Sequence, residues 1–451
     1  MMFLFKARRL RTAVLCALPA WLSEAPGQVV PDPIQAAAPS VPITDPTRLA
    51  RISPLGVAPD WSTLAAFGGT FTHEEFQQAW DRTYSAENAL PPPFQIRPQA
   101  VIVPTGDPAK PEVCIEFRNG GAGNAPDPQR YWRRAAELPP LRDRPPLSDL
   151  HIALDPGHIG GQWARMEERF LSFQPGEAIQ EGDLSLLTAQ VLKERLTALG
   201  AIVTLVRDKA EPVTVQRPED LNPVAIGLLK EMGITEPAAT YDGLTGDAKG
   251  ATVQWHAERL FYRLSEIHAR AVKVNRQIKP DVVLCLHLNA EGWGTAETPQ
   301  FSPLNHLHVL VNGCYAPIEL EQADTRHEMF TRLFQRVHEE EIPLATRVAA
   351  GMADATGLPA YVYTTPNARH AGTNPHVYAR NLLANRMYQC PVVYLEPFVM
   401  NHEETYRRLL AGHYVGRTLI GGRLTSSALE DYVRGVVQGL LNYYQTQRRT
   451  S

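Results

Sequence analysis

From residue 151 onward, apolar positions alternate between short β-type runs and stretches at helical spacing. Residues 151–154 form an apolar run that ends in Asp155-Pro156-Gly157-His158. Leu184, Leu187, Val191, Leu192, Leu196 and Leu199 then recur at the spacing of one helical face. Gly200 supplies the residue that stops such a helix, because glycine adopts the left-handed C′ conformation without a steric penalty. Residues 201–206 are β-branched and strand-like. Strand, helix and strand at this spacing make a βαβ unit, which implies a parallel pair. Two more buried strands are predicted at 282–286 and 392–395, each preceded by helix-like segments, with Asn275 and Pro280 marking the approach to the first. Ser427 and Glu430 cap a last amphipathic helix that runs to about residue 444. The expected fold class is α/β: a mostly parallel twisted sheet covered by helices on both faces.

Before residue 149 the pattern is weaker, and prolines are frequent. Residues 30–60 are rich in Pro and Ala and read as a linker. Thr72 and Glu75 spell a capping box, and Phe71 with Phe76 supplies the hydrophobic staple of the same helix. Residues 101–103 and 113–117 read as short strands. Gly120, Gly121 and Gly123 read as a turn, since no strand–turn–helix context supports a phosphate loop. A second proline-rich stretch, 139–146, sets the expected boundary between a small N-terminal region of unassigned role (26–148) and the main domain (149–448).

Composition narrows the possibilities. The chain has 451 residues, more than one usual domain, and its formal charge of -4 carries no basic excess, which argues against nucleic acid as a partner. Lys6, Arg8, Arg9 and Arg11 precede an apolar run at 12–22, and small or breaking residues follow (Ser23, Ala25, Pro26, Gly27). That order is a secretory signal peptide, expected over residues 1–25, and the apolar run is too short to span a membrane. The expectation is export to the periplasm or beyond, with no integral membrane segment after cleavage. Cys114, Cys285, Cys314 and Cys390 form no CxxC pair, so a cysteine zinc site is disfavoured. Cys285 and Cys390 border apolar runs and read as buried free thiols. No HExxH and no GxSxG occurs, which removes thermolysin-like proteases and serine hydrolases of the α/β-hydrolase type.

Three polar residues directly follow the predicted strands: His158, His287 and Glu396. Ligand sites of open α/β sheets gather at the carboxyl ends of strands. Two imidazoles and a carboxylate there suit a catalytic zinc, given one more ligand and an open position for water. The blocks ALDPGHIGG (153–161), IQEGDLSLLTAQVLKERLTALGAIVTLVRD (179–208), RAVKVN (270–275), DVVLCLHLNA (281–290) and VVYLEPFVMN (392–401) occur in that order. Together they resemble the zinc-dependent N-acetylmuramoyl-L-alanine amidases of bacterial cell walls, over roughly residues 149–444. The resemblance implies Zn²⁺ held by His158, Glu181 and His287, with Glu396 assisting catalysis. It implies hydrolysis of the amide bond between N-acetylmuramic acid and L-alanine, peptidoglycan as the partner, and a protein activator as a further expectation.

Glu167, Glu168 and Glu177 compete with Glu181 as ligands, but only Glu181 sits directly before the helix; the other three are expected as surface carboxylates. Asp155 and Asn289 either orient ligands or close turns. His306 and His308 alternate on a strand-like run and share a face, expected to be an exposed strand face rather than a second metal site. Residues 210–250 and 318–341 are insertions. The second reads as a helix with an apolar stripe (Met329, Phe330, Leu333, Val337) that packs on the sheet, in preference to a cover whose carboxylates block the metal position. Two alternatives stay open: a zinc peptidase or amidohydrolase acting on wall peptides, and a wall-binding protein without catalysis.

Overall fold

The structure is a computed structural model and describes residues 46–87, 91–120, 128–294 and 298–448. The expected signal peptide and the first part of the linker lie outside the described residues, as do Gly121 and Gly123. Strands β1 (Gln95–Arg97), β2 (Ala100–Asp107) and β3 (Lys110–Glu116) form an antiparallel meander. Next come β4 (His151–Pro156), the hairpin β5 (Phe170–Gln174) and β6 (Glu177–Gln180), then β7 (Ile202–Leu205), β8 (Val282–Leu286) and β9 (Leu307–Val311). The chain continues through β10 (Arg369–His370), β11 (Val377–Ala379), β12 (Val392–Pro397) and a final hairpin, β13 (Thr418–Ile420) and β14 (Arg423–Thr425).

The main sheet has the order β10-β11-β9-β12-β8-β4-β7. Its centre, β12, β8, β4 and β7, is parallel, as the βαβ pattern predicts. Strand β9 enters antiparallel to β12. All five residues of β8 are buried, because helices cover both faces, and this is why the strand reads as an unbroken apolar run. On one face Ile152, Leu154, Leu284, Leu286, Val393 and Leu395 pack against helices Glu181–Ala198, Val337–Thr356 and Ala428–Gln447. On the other, Ala153, Val283, Cys285 and Val392 meet Ala271, Val274, Tyr388 and Trp132. Each fully buried Val or Leu contributes about 1.5–3 kcal/mol of transfer free energy. The expected α/β fold is the one observed. The helix predicted from residue 184 begins earlier, at Glu181, and Gly200 follows its end with φ 95°. Cys285, Cys314 and Cys390 are buried free thiols, and Cys114 is exposed.

The capping box is present: Glu75 N donates to Thr72 Oγ1 (3.1 Å) and Thr72 N to Glu75 Oε2 (2.8 Å). The Phe71 and Phe76 rings lie 6.5 Å apart. Segment 318–341 resolves into helix Ala323–Phe334 and the start of helix Val337–Thr356, separated by Arg336 in the left-handed region (φ 55°). Met329, Phe330 and Leu333 bury their stripe against Leu64, Phe67, Phe71 and Phe76, so the partner of this helix is the N-terminal region, where the sequence reading expected the sheet. Its carboxylates have partners of their own: Glu321 with Arg48, Glu339 with Arg336, Glu340 with Ala135 N, and Glu341 with Arg332. Insertion 210–250 contributes helix Asn222–Glu231, whose Ala225 and Leu229 pack in one cluster with Ile159, the residue after His158. No helix among the described residues is long and apolar enough to cross a membrane.

Candidate metal centre

The centre forms where β4, β8 and the start of helix Glu181–Ala198 converge. Gly157 N donates to Leu286 O across the strand ends (2.8 Å), and the chain then turns sharply, with His158 at φ 55°. Buried Arg270, from the RAVKVN block, holds that turn: it donates to Asp155 Oδ1 (2.9 Å), Pro156 O (2.7 Å) and His158 O (2.8 Å), and its Nε reaches Glu266 (2.7 Å). Asp155 also accepts from Tyr388 Oη (2.5 Å). It therefore braces the turn from behind, and Asn289 closes a turn through Ala290 N (2.7 Å).

Two glycines bring the parts together. A Cβ on Gly157 would lie 2.3 Å from His287 Cε1, and one on Gly182 would lie 2.3 Å from Gly160 N. The second contact seats the first turn of the helix directly on the loop after His158. Glu181, at the helix start and 1% exposed, is thereby aimed at both imidazoles. Its Oε2 is 3.1 Å from His158 Nε2, and its Oε1 is 3.0 Å from His287 Nδ1 and accepts from Leu288 N (3.1 Å). The ring planes of His158 and His287 stand at 78°, with centroids 5.1 Å apart.

One ligand atom from each of His158, Glu181 and His287 lies within 4.8 Å of the others. Ligands at about 2.0–2.2 Å from a zinc ion require such convergence, and two imidazoles with one carboxylate are a known catalytic donor set. One further observation fits a cation here: Glu181 Oε2 is buried and makes no hydrogen bond within the protein. Arg169 Nε lies 3.1 Å from that oxygen and donates to His158 Nε2 at 3.2 Å, so a guanidinium shares the donor atoms that a metal would use. Among the described residues, this is the cluster with metal-binding geometry.

Electrostatics prepares Glu181 and His287 as donors. Burial would raise the Glu181 carboxyl, but the adjoining His158 and His287 imidazoles hold it well below the usual carboxylate range. Burial depresses His287, only partly offset by Glu181, and so keeps it neutral. Burial also opposes protonation of His158, but the adjoining Glu181 and Glu167 carboxylates outweigh it and raise its pKa.

Glu396 occupies the end of β12. The parallel register Leu395↔Leu286 puts it level with His287 on the neighbouring strand. Tyr394, on the same face of β12, stacks on the His287 ring at 4.4 Å. The antiparallel register sets His308 opposite Glu396. His306 and His308 are each 5% exposed, which corrects the expectation of an exposed strand face. Tyr361 and Tyr363 cover them: Tyr361 lies 4.5 Å from His306 and 5.0 Å from His308, and Tyr363 lies 5.5 Å from His308. His306 pairs with Glu291 (2.8 Å).

Glu168 and Glu177 lie at the surface as expected, whereas Glu167 does not: it is 1% exposed, because the loop after His158 wraps around its carboxylate. Arg169 is a neighbour of the centre that sequence reasoning missed. Neither residue sits in a periodic pattern, and the only available signal was the length of the segment between Gly161 and Glu181.

No protein-family model matches this chain, and no curated protein matches it. Among solved structures, the chain is similar to the apo N-acetylmuramyl-L-alanine amidase of Mycobacterium abscessus, with 16% identity and a TM-score of 0.32 over 66% of this chain and 99% of that one. A Clostridioides difficile amidase in complex with the GerS lipoprotein is 13% identical, with a TM-score of 0.36 over 66% and 100%. A Nostoc punctiforme N-acetylmuramoyl-L-alanine amidase is 14% identical, with a TM-score of 0.32 over 66% and 99%.

Proposed function

We propose that this chain is an exported zinc-dependent amidase that hydrolyses the bond between N-acetylmuramic acid and L-alanine in peptidoglycan. The observation that carries the reading is the convergence of His158, Glu181 and His287 within 4.8 Å at strand ends, with Glu396 level with His287. The five ordered sequence blocks add the choice of bond. Residues 149–448 are the proposed catalytic part, residues 1–25 the export signal, and a protein activator a proposed partner.

Zinc, when bound, polarises the scissile carbonyl and acidifies a water. With water as the attacking nucleophile, Glu396 would accept its proton and return it to the departing amine, so that the C–N bond breaks as a free amino group and a carboxylate form. Tyr394 keeps the His287 ring flat against β12. Arg270 holds the DPGH turn, so that His158 and Glu181 meet without rearrangement.

The test pairs metal analysis with digestion of purified peptidoglycan by the full chain. The products are expected to be stem peptides with a free L-alanine amino group and glycan strands with unsubstituted lactyl carboxylates, both identified by mass spectrometry. His158→Ala and His287→Ala are expected to lose zinc and turnover together. Glu396→Gln should keep zinc while turnover falls by about two to four orders of magnitude. Cleavage between two amino acids would replace this reading with a zinc peptidase. Wild-type protein without zinc would remove both.

A further inference from the structure

We propose that Glu167 is a positioning residue that keeps the His158 proton on Nδ1 and so presents Nε2 to the metal centre. The inference rests on the metal-centre reading above.

The geometry brackets the His158 ring from both edges. On one edge, the buried Glu167 carboxylate accepts Ile159 N–H (2.9 and 3.0 Å to its two oxygens) and Gly160 N–H (3.1 Å). Its Oε1 stands 3.5 Å from His158 Nδ1. On the other edge, Nε2 accepts from Arg169 Nε at 3.2 Å and lies 3.1 Å from Glu181 Oε2. An imidazole nitrogen that accepts from an arginine carries the lone pair. In the neutral ring the proton must then sit on the other nitrogen, facing Glu167. Two residues of one short segment thus set the tautomer together.

The backbone requires such support. His158 has φ 55°, a conformation that costs a residue with a Cβ about 1–3 kcal/mol and persists only where the surroundings impose it. Arg270 grips its carbonyl from one side, and Glu167 grips the next two amides from the other. A loop clamp alone would need only an acceptor oxygen, which an amide side chain also offers. Orienting the ring proton as well needs a second oxygen, since Oε2 accepts from both amides while Oε1 faces the ring, and this difference makes the two roles separable. Carboxylates that accept from the outer nitrogen of a ligating histidine fix its tautomer and orientation and strengthen it as a donor.

The test uses the full chain as wild type, Glu167→Gln and Glu167→Asp. Three quantities are measured: zinc Kd by chelator competition, thermal unfolding in excess chelator, and the ¹⁵N shifts of the His158 ring in zinc-free protein above pH 8. Glu167→Gln is expected to weaken zinc about 10- to 100-fold, with zinc-free unfolding within a few degrees of wild type. Glu167→Asp should recover most of the affinity. Wild type should show the Nδ1–H tautomer, and Glu167→Gln a mixture. Unchanged Kd and tautomer in Glu167→Gln would overturn the inference. So would a loss of affinity that merely tracks lost zinc-free stability and is not recovered by aspartate. Should wild type bind no zinc, the metal reading fails on its own account, and the ring nitrogen shifts alone then decide the role of Glu167.

Discussion

The distance between the two histidines of the centre depends on a hydrogen atom. Gly157 faces the His287 ring so closely that a methyl group there would fall 2.3 Å from Cε1 and 2.5 Å from Nδ1, well inside contact distance. The ring cannot retreat easily, because Tyr394 stacks on it at 4.4 Å. Gly157→Ala is therefore expected to tilt His287 and weaken zinc at least about tenfold, in the range seen when residues that orient metal ligands are replaced. The overall fold should persist, since the turn keeps its Arg270 and Asp155 bonds. Chelator competition alongside circular dichroism checks this, and normal affinity in a folded variant would refute it. At this scale the sequence is informative about His158, His287 and Glu396, since each stands directly after an apolar run. It is silent about Arg169 and misleading about Glu167. Their burial comes from the way the loop after His158 folds back over them, and a charged run of that kind is ordinarily solvated.

The longest helices are anchored by charges that the apolar pattern does not reveal. Arg332 and Glu341 lie on consecutive helices, both essentially without exposure, and form a direct ion pair; Glu341 also accepts from Val392 N (2.7 Å) at the start of β12. Burial lifts the Glu341 carboxyl above its usual range despite the adjoining guanidinium. Removing one partner strands the other in an apolar setting. Arg332→Ala or Glu341→Ala should each cost about 3–5 kcal/mol in denaturant unfolding, and the double replacement less than their sum. Additive losses would mean that the two charges do not stabilise each other. The βαβ unit, β8, β12 and the last helix follow from periodicity because each is long enough to display it. Strands β10 and β11, at two and three residues, are too short to carry an alternating pattern, and β9 gives no hint in its own composition of running against β12.

At the scale of the whole chain, the proline-rich stretch at 139–146 separates two regions of different pattern, yet packing crosses it. Phe67 stacks on Phe334 at 5.6 Å, Arg133 pairs with Asp281 (2.7 Å), and Ala135 N donates to Glu340 (2.9 Å). A chain cut to begin at Asp149 would bare Met329, Phe330, Leu333 and Phe334, all without exposure in the full chain. It is expected to bind hydrophobic dyes, associate in sedimentation and unfold at lower temperature. A monomeric fragment with full stability would show that this cover is dispensable. The same contacts govern the order of folding. Glu75 meets Arg336, its partner 261 residues downstream, and the Leu49 carbonyl meets Arg326 after 277. The segment around Leu49 and Glu75 therefore waits for most of the chain that follows it before these contacts can form. Contacts of such long sequence separation close slowly. For a polypeptide proposed to cross a membrane before it folds, that delay is useful: the nascent chain stays threadable, and the proposed wall-degrading activity remains unassembled on the cytoplasmic side.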